Sequence, residues 1–302
     1  MSRVLIINGD DLGLTRAVSE GIFQAHENGL LTSASLMVNQ PATEFAVQKL
    51  ARYPNLGVGI HLNLSQGRPV LRPQEVSSLV GSDGRFLAPN EIQARLMTWS
   101  VSRKEIEAEY CAQIRRARAM GVDPTHADSH HHMHLFFAAV APFRTALEAE
   151  GIRWIRACRI RQWPRPTRVG GPHSGGMLRR LGVLAYMEFL SAGPFRRFRA
   201  PNFRIETRRA AGPSSVDSMI EAWAEAFRSL DENCVFELVC HPGVSDSENR
   251  LADRIHDKRI RELTLLTAPG FKALPARHGI ALASYAGLVS NRAGAFAAQG
   301  VA

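Results

Sequence analysis

A chain of 302 residues with 45% hydrophobic and 22% charged content can bury a sizeable core, which excludes a disordered tail, a fibrous repeat or a disulfide-dependent miniprotein. Its formal charge of +9 makes nucleic acid, an anionic membrane face or an acidic substrate the partners to weigh. Cys111, Cys158, Cys234 and Cys240 form no CxxC pair and no regular spacing, so reduced, mostly buried thiols are expected rather than a disulfide framework or a zinc ribbon.

In chain order, Val4–Ile7 is a short apolar run rich in β-branched residues, ended by Asn8-Gly9-Asp10-Asp11, and predicts a buried strand. A helix over 15–29 follows, with Gly29 as its stop, then a strand over Ser33–Val38, a helix over 42–52 and a strand over Leu56–Leu64. Gly57 and Gly59 inside that last strand suggest close backbone approach. Helices near 89–98 and 103–120, a strand over Thr125–Ser129, a helix over 136–150 and a strand over Trp154–Cys158 continue the alternation. A helix over 216–229, a strand over Cys234–Cys240, a helix over 249–266 and a strand over Ile280–Ser284 complete it. This order predicts a parallel α/β sheet or barrel occupying residues 1–290, with 291–302 as a flexible tail. No run approaches the roughly 20 apolar residues that cross a bilayer, and the N-terminus lacks signal-peptide flanks, so a cytoplasmic protein is expected.

Between Gly151 and Ala210 fourteen arginines stand against Glu188 and Glu206, a segment charge of +12 that leaves −3 for the rest of the +9 chain. The basicity is local, and the segment around 160–212 reads as an insertion between core strands. Within it, Met177–Leu190 and Phe195-Arg196-Arg197-Phe198-Arg199 predict either an ordinary amphipathic helix or an interfacial element, so that 177–199 is a candidate for peripheral contact with an anionic membrane. No nucleic-acid motif accompanies the charge, and nucleic acid is not expected as a partner.

Chemically unusual residues fall just after predicted strands, where parallel α/β folds assemble their sites. Adjacent Asp10 and Asp11 repel in a partly desolvated turn unless a cation or proton shares them, although Asp11 would also serve as a helix N-cap. His61, a lone strand histidine, reads more readily as a hydrogen-bonded core residue than as a ligand. The run Thr125-His126-Ala127-Asp128-Ser129-His130-His131-His132-Met133-His134 holds five of the eleven histidines, a density that favours metal or proton chemistry. A helix beginning after Ser129 would put His130 and His134 one turn apart. Not all five can bind one ion, so one or two are ligands, and His126, His131 and His132 are more readily structural or substrate contacts.

NGDDLG at 8–13, GIHLNL at 59–64, PTHADSHHHMH at 124–134 and VCHPG at 239–243 occur in the order and spacing of the YdjC-like carbohydrate deacetylases, and the chain resembles that family from its N-terminus to about residue 285. Gly9 and Leu12 replace the family's alanine and phenylalanine. The resemblance implies a distorted (β/α) barrel with its site at the C-terminal strand ends, a divalent metal on Asp11, His61 and His130, Asp10 as general base, and hydrolysis of an N-acetyl group on an amino sugar. Mg²⁺ is the ion the family favours, whereas the ligand chemistry alone favours Zn²⁺. The arginine-rich middle is similar in texture to the branch associated with hopanoid biosynthesis, which would make a glycolipid the substrate. Within this scheme Arg156 is expected to stabilise the oxyanion, His241 to protonate the leaving amine and Asp128, with His134, to support the ligands. A phosphoester hydrolase on the same Asp/His set and a non-catalytic glycan- or lipid-binding protein are the competing functions.

Overall fold

The computed structural model describes residues 3–163, 174–207, 215–246 and 254–290. Among these, eight strands pair in parallel: β1 (Arg3–Leu12), β2 (Ser33–Leu36), β3 (Gly57–Leu62), β4 (Ala127–Ser129), β5 (Ile160–Trp163), β6 (Phe203–Thr207), β7 (Val235–Cys240) and β8 (Ile280–Leu282). They run in the order β4-β3-β2-β1-β7-β6-β5, with β8 beside the start of β1. Leu5, Ile6 and Ile7 of β1 are fully buried on both faces, as expected for a central parallel strand covered by helices. The sheet curls into the distorted barrel the sequence pointed to.

Two differences from the expected elements matter for the site. The reading of Trp154–Cys158 as a strand is corrected to two isolated bridges, Ala127 with Ile155 and Trp154 with Arg199, which bring Arg156 alongside β4. The segment read as an insertion supplies wall strands: β5 pairs with β6, and β6 with β7. Its charge is therefore not all on the surface, since Arg204 is buried.

Helix α1 (Arg16–Glu27) starts at Thr15, whose hydroxyl accepts from the Val18 N–H, so Asp11 is not its cap. Its stripe of Val18, Ile22, Phe23 and Ala25 faces the sheet. The other main helices are α2 (Thr43–Leu50), α3 (Pro89–Met97), α4 (Arg103–Ala119), α5 (Phe137–Ala149), α6 (Ser174–Ala192), α7 (Val216–Arg228) and α8 (His256–Thr267). Of the helix expected over 249–266, residues 249–253 lie outside the described residues, as does the expected tail 291–302. Among the described residues, no helix is long and apolar enough to cross a membrane.

Candidate active site

β1 delivers two successive carboxylates to one place, which simple strand alternation forbids. The pairing of β1 with β2 slips between Gly9 and Leu12, and Asp11 takes a left-handed φ of 71°. Such an irregularity re-aims side chains at a sheet rim, and here it turns Asp10 and Asp11 toward the same cleft. His61 comes from the end of β3 and His130 from the residue after β4.

Asp11 Oδ1 lies 2.9 Å from His130 Nδ1 and 3.3 Å from His61 Nε2, and the two nitrogens are 3.4 Å apart. Ligands about 2.1 Å from one small divalent ion are separated by roughly 3.0–3.4 Å at octahedral or tetrahedral angles, so the three atoms fit a shared cation. Asp11 Oδ1 is also buried with no hydrogen-bond partner. The outer nitrogens of both rings are occupied: His61 Nδ1 meets Asp128 Oδ1 at 2.7 Å, and His130 Nε2 meets Gln66 Oε1 at 3.0 Å. These contacts leave Nε2 of His61 and Nδ1 of His130 as the inward lone pairs.

The electrostatics ask for positive charge. Burial opposes a charge on His61, yet Asp128, Asp11 and Asp10 together lift the ring to about 10. Burial likewise opposes ionisation of Asp11, but His130 and Arg259 hold its carboxyl well below the usual carboxylate range.

Arg156 lies beneath Asp10, fully buried. Its Nη1 and Nη2 donate to Asp10 at 2.8 and 2.6 Å, Nη2 also reaches Asp128 Oδ2 at 2.6 Å, and Nε donates to Glu237 at 2.8 Å. With all these donors committed to carboxylates, the expected oxyanion contact is corrected: Arg156 fixes Asp10 instead of facing the cleft. Despite burial, Arg156 and His61 keep Asp10 ionised by lowering its pKa.

His241, directly after β7, stands on the other side of Asp10, its Nε2 3.8 Å from Asp10 Oδ2 and its Nδ1 3.9 Å from Glu262. Burial holds the ring below its ordinary range against the pull of Asp10, Asp11 and Glu262.

The remaining histidines separate. His131 and His132 have φ of 53° and 54°, which breaks the segment between His130 and Leu135 and corrects the picture of His130 and His134 on one helical turn. His134 turns back into the core, 2.5 Å from Ser129 Oγ and stacked on Phe143, away from the three converging atoms. His126 stacks on Tyr285 and lies where a Cβ on Gly59 would be 2.4 Å from its ring, which explains that glycine. His131 and His132 line the cleft, His131 touching Ser65 Oγ at 2.9 Å. Burial drives His126 and His131 each down to about 3, so both rings are neutral at physiological pH.

The cleft above these groups measures about 1140 Å³ and is rimmed by Gln66, Arg68, Arg85, Asn90, Gln93 and Lys258, room for more than one sugar ring and many hydrogen bonds to hydroxyls. Sequence reasoning missed Gln66, Arg259, Glu237 and Glu262. Glu237 alone carried a visible signal, an acid inside an apolar strand.

Comparison with known proteins shows to which family the chain is similar. The family model described as YdjC-like protein matches residues 4–277. A carbohydrate deacetylase of Geobacillus stearothermophilus is 34% identical over 285 residues, covering 94% of this chain and 98% of the relative. A carbohydrate deacetylase of Homo sapiens is 31% identical over 324 residues, covering 96% and 92%. A crystal structure from Enterococcus faecalis, provisionally described as a cellobiose-phosphate cleavage protein, superposes with a TM-score of 0.76 at 26% identity, covering 95% and 99%.

Proposed function

The chain belongs to the YdjC-like protein family, and from that premise we propose that it is a metal-dependent N-deacetylase acting on an N-acetylated amino sugar. The observation that carries the reading is the convergence of Asp11 Oδ1, His61 Nε2 and His130 Nδ1 beside Asp10, a second buried carboxylate that binding alone would not require. Asp11, His61 and His130 would hold a divalent cation, which would supply Lewis-acid polarisation of the acetyl carbonyl and acidify an attacking water.

This chain's own groups handle the protons. Asp10, held as a carboxylate by both arms of Arg156, takes the proton of the attacking water. His241 Nε2, 3.8 Å from Asp10, receives that proton and passes it to the departing amine nitrogen, while Glu262 fixes the backbone of His241 through a 2.6 Å hydrogen bond. Asp128 and Gln66 keep the ligand rings in one tautomer, and the polar rim of the cleft receives the sugar hydroxyls.

The test is acetate release from N-acetylglucosaminides after chelation and addition of Mg²⁺ or Zn²⁺ in turn, an arrangement that also assigns the ion. His130→Ala is expected to lose bound metal and turnover together, by about 100-fold or more in affinity, because it removes one of three ligands. Phosphate release from sugar phosphates without acetate release would transfer the reading to phosphoester hydrolysis. Metal binding without any turnover would leave a glycan- or lipid-binding protein.

The finer substrate we propose is an amino sugar on a hopanoid-type lipid, met by the cytoplasmic protein at an anionic membrane face. Leu181, Leu184 and Phe189 of α6 are 56%, 40% and 55% exposed, Phe137 packs beside Tyr186, and Arg196, Arg197 and Arg199 are exposed nearby. Tyr186 donates to the Leu135 carbonyl at 2.6 Å, which sets this apolar face next to the histidine segment. Replacing Leu181, Leu184 and Phe189 together by serine is expected to weaken co-sedimentation with anionic vesicles by at least about tenfold, since each side chain brings roughly 1.5–3 kcal/mol of burial. Unchanged sedimentation removes the membrane contact and leaves the deacetylase reading intact.

A further inference from the structure

We infer that Arg259 is a positioning residue that restricts Asp11 to one inward oxygen. Its Nη2 donates to Asp11 Oδ2 at 2.8 Å, while Oδ1 of the same carboxylate faces His130 and His61. Asp11 and Arg259 are almost wholly buried, so solvent does not compete for this contact. A carboxylate can offer both oxygens to an ion. With Oδ2 taken by a guanidinium, Asp11 offers Oδ1 alone, and part of its charge is neutralised from behind.

The surrounding backbone is shaped to carry this side chain. Arg259 lies in α8, and its stem runs across the turn after His241: a Cβ placed on Gly243 would be 3.1 Å from both Cβ and Cδ of the arginine. The Gly243 N–H donates to the Arg259 carbonyl at 3.3 Å, and the turn's Val244 N–H donates to the Ala17 carbonyl of α1 at 3.1 Å. The glycine of the His-Pro-Gly element thus has a physical purpose, which is to let the arginine pass to Asp11. A bidentate Asp11 would take up a coordination position that water or the acetyl oxygen needs, and its undiminished charge would make the ion a weaker Lewis acid.

The inference rests on Asp11, His61 and His130 being metal ligands, and Co²⁺ serves as the probe because its visible absorption reports coordination number. Arg259→Met removes the charge and the donor, whereas Arg259→Lys keeps the charge with one compact donor group. Arg259→Met is expected to bind Co²⁺ at least about tenfold more tightly, because a positive charge has left the vicinity of the ion. Its absorption should weaken as coordination rises, and kcat should fall by about 10–100-fold with KM little changed. Arg259→Lys should lie between, and it carries the test alone if the methionine variant does not fold. Weaker Co²⁺ binding, an unchanged spectrum or unchanged kcat in folded variants would overturn the assignment. Absence of Co²⁺ binding in the unaltered protein would instead overturn the ligand set itself.

Discussion

Asp10→Asn is expected to yield a folded protein that binds its metal as tightly as the unaltered chain and hydrolyses the acetamide about 10²–10⁴-fold more slowly, the usual contribution of a positioned general base. The substitution is nearly isosteric and leaves the three converging atoms of Asp11, His61 and His130 untouched. Arg156 keeps Asp128 and Glu237 as partners, and the asparagine carbonyl can still accept one of its N–H groups. What disappears is the proposed proton acceptor. Bound metal counted by elemental analysis and acetate measured at saturating substrate separate the two properties. Near-normal turnover would move the base role elsewhere, and loss of metal would make Asp10 a ligand.

The convergence of Asp10, Asp11, His61 and His130 was legible in the chain because parallel folds bring chemically unusual residues together at strand ends. The apolar run Val4–Ile7 marks β1, and the two aspartates after it stand out as site residues once Thr15 is seen to cap α1. The illegible parts have physical causes. β5 and β6 hide in arginine-rich sequence, since Ile160–Trp163 has no clear alternation and Phe203–Thr207 alternates apolar and polar residues like an exposed edge while Arg204 is buried. The left-handed backbone at His131 and His132 breaks the one-turn spacing of His130 and His134, and no local propensity of these residues encodes it. Arg259 and Asp11 are 248 residues apart, and Arg156 and Glu237 are 81 apart, so only closure of the barrel brings those pairs together.

The buried guanidinium at the centre of the barrel gives the second large effect. Arg156→Met removes the one cation that Asp10, Asp128 and Glu237 share, and leaves three carboxylates in a space from which water is excluded. Breaking a buried pair from one side costs about 3–5 kcal/mol, which for a chain of this size lowers Tm by roughly 5–8 °C. Burial and the two aspartates already push Glu237 above the ordinary carboxylate range against the pull of Arg156, so it is the first of the three to take a proton when the arginine leaves. The sign of the pH dependence follows. Without Arg156 the folded-state pKa values rise relative to the unfolded chain, so the variant loses stability as pH increases, and its Tm deficit should widen from about pH 5 to about pH 8. Adding Glu237→Gln should recover part of the loss by removing one of the stranded charges. As the proposed base, Asp10 must be ionised to act, so losing the guanidinium that holds its pKa down is expected to move the acidic limb of the rate profile to higher pH. A Tm deficit that is flat with pH, together with an unmoved acidic limb, would mean that Arg156 fills space without setting the charge of the base. A lysine at 156 restores one positive charge but cannot span three carboxylates with a fixed fork, so it should rescue stability further than it rescues turnover.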